Sequence, residues 1–487
     1  MTPTSQHPRG LRTLFFTEMW ERFSYYGMRA LLVLFMVKAV NAGGLGLTDE
    51  VATAIYGLYV AGVYLAALPG GWIADRLLGA QRAVWIGGLL IAAGHFTLAL
   101  PSVRSFFLGL VLIVLGTGLL KPNISALVGQ LYPEGGARRD AGFTIFYMGI
   151  NLGAAIGPLI CGALGERVNW HYGFAAAGFG MIFGLVQFRL TRHHLGEIGL
   201  APVNRGAATR RDWMVLAVAL AAIAVAVALI FAGAVTINPL WLAKRTAGFI
   251  VVVAVAFFAW AFLFARLDAT EKKRLAVIAI LFLASAMFWA GYEQAGSSLT
   301  LFAERYTQRL LPVLNYEFPA SWFQFVPPAF VILFAPVASG LWLWLGRRNA
   351  NPSLLAKLAG GLVLLAFGFL VLALGAKRAL ANGPVWPTWL IATYLLHVFG
   401  ELLLSPVGLS SVTKLAPPRL VGQMMGIWFL GTSLGNLIAG LFAGEVSGNN
   451  AAAMPARFLQ VVLTAGGTGL LLLLFLKPVR RLMSGVE

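Results

Sequence analysis

The sequence predicts an all-α polytopic membrane protein, built as two six-helix bundles with an extra helix pair between them. Three observations carry that expectation. First, 59% of the 487 residues are apolar and only 11% are charged, against about 25% charged in soluble domains; a water-soluble chain of this composition would expose large apolar patches. Second, the apolar residues fall in blocks of about 20, the length that crosses a bilayer core. Third, a short motif recurs at equivalent places in the two halves.

The blocks run over 13–40, 50–75, 82–101, 105–130, 140–165 and 171–190, then 213–234 and 243–266, then 274–298, 321–345, 354–376, 387–413, 421–444 and 457–477. That makes about 14 transmembrane helices, each of the 17–25 residues a span needs or somewhat longer. The first block carries Glu18, Glu21, Arg22 and Arg29, a poor core for a cleavable leader, so it is expected to stay as the first membrane helix. The expected division is an N-terminal bundle over 1–190, linkers and a two-helix insertion over 191–273, and a C-terminal bundle over 274–487. The inserted pair is mostly Ala and Val without a buried charge in its apolar core, and is expected to face lipid.

Lys and Arg set the orientation, because basic loops stay in the cytoplasm. Arg205, Arg210, Arg211, Lys272, Lys273 and Arg274 fall on one side, and an even helix count returns Arg480 and Arg481 to it. A bacterial inner membrane with both termini cytoplasmic is the expectation. The formal charge of +18 therefore reflects orientation; nucleic-acid binding would need the basic residues gathered on one solvated face. The single cysteine, Cys161, sits in an apolar block with no metal-ligating company and reads as a packing residue. No metal or cofactor is expected, and the chain is expected to work as a monomer in contact with membrane lipid.

The recurring motif is Ile145-Phe-Tyr-Met-Gly-Ile-Asn-Leu-Gly153 against Ile427-Trp-Phe-Leu-Gly-Thr-Ser-Leu-Gly435, in the fifth helix of each half. Parallel six-helix repeats of this kind characterise the major facilitator fold, in which substrate is held at the repeat interface.

Charges inside the apolar blocks point to function, since each costs roughly 2.5–3.5 kcal/mol at the bilayer centre on insertion scales. Glu18, Glu21, Arg22, Tyr25 and Arg29 are spaced by three, four or seven and share one helical stripe, which must line a polar cavity and find partners on other helices. Lys121 precedes Pro122 in the fourth helix, where a kink frees carbonyls. Glu293 lies in the block at 274–298 and Glu401 in that at 387–413, the seventh and tenth helices when the inserted pair is left out of the count. Lys121 and Glu401 occupy equivalent helices, a basic and an acidic side suited to a zwitterion with separated charges. Simple pairing to hold the halves together is the alternative. Buried carboxylates suit proton handling, because desolvation favours the neutral acid while a nearby cation favours the ion. His95 and His397 stand outside these clusters and read as packed histidines. The stretch from Gly71 through Asp75, Arg76 and Gly79 to Arg82, joining the second and third helices, reads as a conformational latch, with Asp75 free to cap a neighbouring helix.

These residues resemble the proton-dependent oligopeptide transporter family of the major facilitator superfamily over nearly the whole chain. Glu18-Met-Trp-Glu21-Arg22-Phe23-Ser-Tyr25-Tyr26-Gly27 matches its ExxERFxYYG signature, Phe146-Tyr147 through Asn151 to Gly153 its FYxxINxG motif, and Gly400-Glu401 with Ser405-Pro406 its tenth-helix GE…SP motif. The resemblance implies proton-coupled symport of di- and tripeptides. It places Glu18, Glu21 and Arg22 in a proton-coupling network with Lys121, and pairs Arg29 with Glu293. It gives the peptide C-terminus to Arg29 and Lys121, and the N-terminus to Glu401 and Asn151. Tyr25, Tyr26, Tyr64 and Tyr147 would bond the peptide backbone, while Trp289, Trp322 and Trp428 would shape side-chain pockets. One departure stands out: Trp322-Phe-Gln324 leads to Pro327-Pro328 where the family has Asn-Pro, so an amide is missing and Gln324 is expected to compensate. The rivals are a proton-coupled carrier of another small anion or zwitterion, and a membrane-embedded enzyme. For the enzyme, no His-Glu-x-x-His or nucleophile–base cluster is found.

Overall fold

The computed structural model describes residues 6–202, 210–312, 315–404, 408–447 and 451–483. Two expected features, Arg205 of the linker and Ser405-Pro406 of the tenth-helix motif, lie outside the described residues. The chain divides into two compact units, one of residues 1–45 and 62–238, the other of 46–61 and 239–487.

In the first unit, α1 (Arg9–Val37), the part of α2 (Asp49–Ile73) from Gly62 onward, α3 (Ala80–Leu98), α4 (Val103–Gln130), α5 (Gly136–Arg167) and α6 (Trp170–Thr191) form the bundle, followed by α7 (Arg210–Phe231). Local chemistry fixes several boundaries. Asn169 caps α6 by accepting the His171 N–H at 2.9 Å, one of the orphan donors of a helix start. Gly79, at a φ of 80°, turns the chain into α3, whose N-cap has no side-chain hydrogen bond. Asp75, expected as a cap, is therefore not the cap of α3. The core gathers Leu14, Val84, Ile91, Leu120, Leu127 and Phe188 from α1, α3, α4 and α6.

The second unit holds α8 (Pro239–Phe264), α9 (Ala269–Tyr292), α10 (Ser298–Tyr306), α11 (Val326–Arg347), α12 (Leu354–Asn382), α13 (Thr388–Leu404), α14 (Gly408–Leu415), α15 (Val421–Ser447), α16 (Met454–Val461), α17 (Gly467–Leu474) and α18 (Leu476–Leu482). A capping box starts α9: Asp268 accepts the Glu271 N–H at 2.7 Å and Glu271 accepts the Asp268 N–H at 3.0 Å. Ser353 caps α12. Pro327 and Pro328 stand in the first turn of α11, where a missing N–H costs no intrahelical bond.

Eleven of the described helices, some counted across a short break, are long and apolar enough to cross a membrane. Three of the expected 14 spans are not among these: α1 carries the charge stripe, α3 is diluted by Gln81, Arg82 and His95, and 17 residues of α13, Thr388–Leu404, are described. None of the apolar window of α7 is buried, and 17% of that of α8 is, as a lipid-facing pair requires. The inserted helices belong to different units, α7 to the first and α8 to the second.

Two features were not expected. The seventh span does not end near 298: a 3₁₀ turn over Glu293–Gly296 interrupts it and α10 carries it on to Tyr306. A two-stranded antiparallel hairpin, β1 (Leu310–Leu311) with β2 (Tyr316–Glu317), follows.

The repeat is visible in the packing. A Cβ on Gly153 of α5 would come 2.0 Å from the Met19 carbonyl oxygen of α1, and one on Gly435 of α15 would come 2.7 Å from the Ala286 carbonyl oxygen of α9. In each unit the fifth helix of the half presses its backbone onto the first, and only glycine allows it. Cys161 packs in the same seam: it is fully buried, and its Sγ would lie 2.5 Å from a Cβ on Gly27.

Candidate functional site

In the first unit, the α1 stripe is buried: Glu18, Glu21, Arg22 and Arg29 are at most 5% exposed. Arg22 Nε lies 3.0 Å from Glu18 Oε1 and 2.5 Å from Glu21 Oε2. Two carboxylates thus share one guanidinium. Neither Glu21 oxygen, nor Glu18 Oε2, receives a well-oriented hydrogen bond, so the charges are neutralised only in part. Further along the stripe, the guanidinium of Arg22 is 5.2 Å from the Tyr25 ring centroid and that of Arg29 is 5.2 Å from the Tyr26 ring, and the two rings meet edge to face at 5.2 Å. Cation–π contacts of this kind hold a desolvated cation without neutralising it.

Lys121 of α4 places its ammonium 4.1 Å from the Tyr64 ring centroid of α2. The adjacent Pro122 lies inside α4, and Asn123 Nδ2 donates to the Gly70 carbonyl at 3.3 Å, which ties α4 to α2. On α5, Asn151 Nδ2 donates to the Tyr147 carbonyl at 2.9 Å, one turn back. The structure therefore assembles the predicted residues of this unit into an ion triad, two cation–aromatic pairs on α1, and a Lys121–Tyr64 pair.

In the second unit, Glu401 of α13 accepts a hydrogen bond from the Tyr292 hydroxyl of α9. Tyr292 stacks on Phe288 at 5.6 Å with ring planes 19° apart, and meets Trp289 edge to face at 5.6 Å. Glu293, the next residue, is 5% exposed and opens the 3₁₀ break. Such a break leaves carbonyls without intrahelical donors, and side chains supply them. The Ala295 carbonyl accepts from Thr300 Oγ1 at 2.8 Å and from Gln324 Nε2, which also donates to Thr300 Oγ1 at 2.8 Å. Gln294 Oε1 accepts from Ser298 Oγ at 2.8 Å.

Gln324, expected on the peptide, thus has its amide nitrogen bound into the helix break. Trp428 of α15 is half-buried. Trp322 stacks on Phe318 at 6.4 Å with planes 21° apart, beside the hairpin. His397 packs on Phe369 at 4.9 Å, and His95 is fully buried; both are packed histidines. Of the latch residues, Asp75 is exposed, and Arg76 lies 3.7 Å from Asp212 at the start of α7, an attachment of α7 that the sequence alone did not suggest. Tyr292 was also missed, because nothing in the local sequence marks its partner, 109 residues away.

Membrane-spanning helices, a repeated bundle and ionisable side chains set within the helices of both repeats point to a transporter of major facilitator fold. The chain matches the POT family profile over residues 81–455. It is 43% identical over 496 residues to the peptide transporter YePEPT of Yersinia enterocolitica subsp. palearctica, covering 99% of this chain and 96% of that one. It is 39% identical over 492 residues to a di-/tripeptide transporter of Lactococcus lactis subsp. cremoris, covering 99% and 97%. A crystal structure of a POT peptide transporter in complex with sulfate superimposes with a TM-score of 0.91 at 41% identity, covering 99% of this chain and 97% of that one. The protein belongs to the POT family.

Proposed function

We propose that the protein imports di- and tripeptides together with protons across the bacterial inner membrane, exposing its binding site alternately to the two sides. The observation that carries this reading is the matched pair of polar ends in equivalent helices of the two repeats. Lys121 in α4 is an ammonium held on an aromatic face, and Glu401 in α13 is a carboxylate steered by a phenol. A peptide carries one carboxylate and one ammonium at nearly constant separation, and a dipeptide of any sequence presents the same backbone. The similarity to proteins named as peptide and di-/tripeptide transporters supports the same substrate class.

On this reading the peptide carboxylate goes to Lys121 and Arg29 and its amine to Glu401 and Asn151. Tyr25, Tyr26, Tyr64 and Tyr147 bond its backbone, and Trp289 and Trp428 border the side-chain pockets. Gln324 acts on the peptide through the helix break it holds. The proton is held on buried carboxyls. Glu21 and Glu18 are buried, with oxygens that receive no well-oriented hydrogen bond. Glu293 opens the break in the seventh span, where protonation changes the charge at a hinge, and Arg29 is its exchange partner. Asp75 and Arg76 latch the connection between α2 and α3, both termini are cytoplasmic, and the working unit is a monomer. A potential of 100 mV contributes roughly 2.3 kcal/mol per charge moved, enough for about fiftyfold accumulation per proton before any pH difference is added.

The test is uptake of labelled dialanine into proteoliposomes, with and without an inward proton gradient, for the wild type and Glu293→Gln. Gradient-driven accumulation by the wild type, with exchange alone by the variant, is the expected result. A wild type indifferent to dialanine under every gradient overturns the peptide assignment.

A further inference from the structure

A second binding feature lies away from the peptide-site residues, on the flank of the second unit. A groove of about 300 Å³ runs between α9 and the end of the chain, lined by Ile280 and Ala284 on one side and by Leu471, Phe475, Pro478 and Leu482 on the other. The last helix breaks at Phe475, so the groove is bordered by two short helices, α17 and α18, instead of one continuous rod. The lining is apolar except for Thr468, whose hydroxyl is spent on the Thr464 carbonyl at 2.7 Å, which suits a hydrocarbon occupant.

One end of the groove is strongly basic. The start of α9 carries Lys272, Lys273 and Arg274, and α18 carries Lys477, Arg480 and Arg481. Arg274 Nε donates to the Met483 carbonyl at 3.4 Å, which brings the two basic segments side by side. Helical geometry then aims the charges. Lys273 lies seven and eleven residues before Ile280 and Ala284, on the same stripe of α9, and Arg481 lies one turn beyond Pro478. Lys272, Lys273, Lys477 and Arg481 make no ion pair among the described residues. The nearest acid in sequence, Glu271, is engaged by the Asp268 N–H at 3.0 Å and by Arg419 at 3.2 Å. A dry slot that ends in uncompensated positive charge is complementary to one kind of molecule in a membrane, a lipid with an acyl tail and an anionic headgroup.

We propose that this groove is a binding site for an anionic phospholipid, with one acyl chain lying along α9 and the phosphate received by Lys273, Lys477 and Arg481. The lipid staples α9 to α17 and α18. Because α9 also carries Tyr292 and leads into Glu293, about 14 Å beyond Ala284 at 1.5 Å per residue, the lipid braces the helix that the transport cycle bends.

The test uses the purified full chain, stripped of lipid in detergent and titrated with phosphatidylglycerol or phosphatidylcholine of identical acyl chains, with bound lipid counted by native mass spectrometry. The expected result is one phosphatidylglycerol retained about tenfold more tightly than phosphatidylcholine. Lys477→Gln/Arg481→Gln, at exposed positions that leave the core alone, should abolish that preference, and Leu471→Trp, which fills the slot, should reduce retention of both lipids. Equal retention of the two lipids by the wild type overturns the proposal, as does a preference that survives the double substitution. The count does not depend on transport, so failure of the peptide assignment would leave this result readable.

Discussion

Tyr292 gives its phenol to Glu401, and the residue that follows it in the chain is Glu293. One turn of α9 therefore touches both the carboxylate proposed to hold the peptide amine and the carboxyl proposed to hold the proton. The phenol's ring is fixed by stacking on Phe288 and by the edge of Trp289, so the hydroxyl is a preorganised donor that aims Glu401. Tyr292→Phe keeps the ring and removes the donor. A hydrogen bond to a charged group is worth about 1.5–3 kcal/mol, part of which water entering the site restores. The KM for dialanine should rise roughly three- to tenfold on that basis. Uptake or competition by N-acetylated dialanine, which has no ammonium to offer Glu401, should be unchanged, and the comparison of the two substrates by competition against labelled peptide reads the effect directly.

The ion triad on α1 makes a prediction about stability that is separable from transport. Arg22 pairs with both Glu18 and Glu21, at 3.0 and 2.5 Å, and removing the cation leaves two buried carboxylates without it. Breaking a buried pair on one side costs about 3–5 kcal/mol. Arg22→Gln should therefore lower the detergent-solution melting temperature sharply. The triple change Glu18→Gln, Glu21→Gln and Arg22→Gln, which leaves no uncompensated charge, should recover most of that loss by thermal unfolding. It should still fail to accumulate peptide against a gradient, since the groups that exchange the proton are gone.

The two glycines that mark the internal repeat differ in how much room they have. The Cβ of an alanine at 153 would meet a backbone oxygen at 2.0 Å, and that of an alanine at 435 would meet one at 2.7 Å. Both neighbours are main-chain atoms that cannot rotate away. Overpacking typically costs about 1–3 kcal/mol, so Gly153→Ala should destabilise by at least the upper part of that range and Gly435→Ala by less. Thermal unfolding of the two variants in one detergent checks the order.

Much of this architecture was legible because a bilayer leaves few choices. Blocks of hydrophobic length read directly as helices, and several starts fell within a residue of the structure, as at α2, α12 and α15. The α1 charge stripe was legible for the same reason: charges at spacings of three, four and seven in apolar surroundings must share a face and be buried together, and Glu18, Glu21 and Arg22 are. What the pattern could not show was the interruption inside the seventh span. The block was expected to run unbroken from 274 to 298, while in the structure Ser298 bonds Gln294 and Thr300 bonds the Ala295 carbonyl of the break. Hydropathy does not record which carbonyls are free, and the side chain that satisfies the most important of them comes from Gln324, 29 residues on. Tyr292 with Glu401 and Arg76 with Asp212 were hidden for the same reason. Long-range pairs between side chains of ordinary composition leave no local periodicity.

Gln324 tests whether that break is part of the machinery. Its amide nitrogen reaches both the Ala295 carbonyl and Thr300 Oγ1, and its side chain is 6% exposed, so it braces the turn that Glu293 opens. Gln324→Met preserves volume and removes the donor, leaving the Ala295 carbonyl with Thr300 alone. An unsatisfied or under-satisfied buried acceptor costs about 1–3 kcal/mol, which should appear as a lower melting temperature. The functional expectation is a split. If the side chain bound peptide directly, KM would rise with little change in maximal rate. Because its nitrogen holds the hinge, the maximal rate of proton-driven uptake should fall about tenfold while KM for dialanine stays within about twofold, for a loss of up to 1.4 kcal/mol in the conformational step. Restoring a donor with Gln324→Asn in place of Met does not restore the reach, since the shorter side chain lacks one methylene, and it should behave like the Met variant. A KM effect without a rate effect would return Gln324 to the peptide.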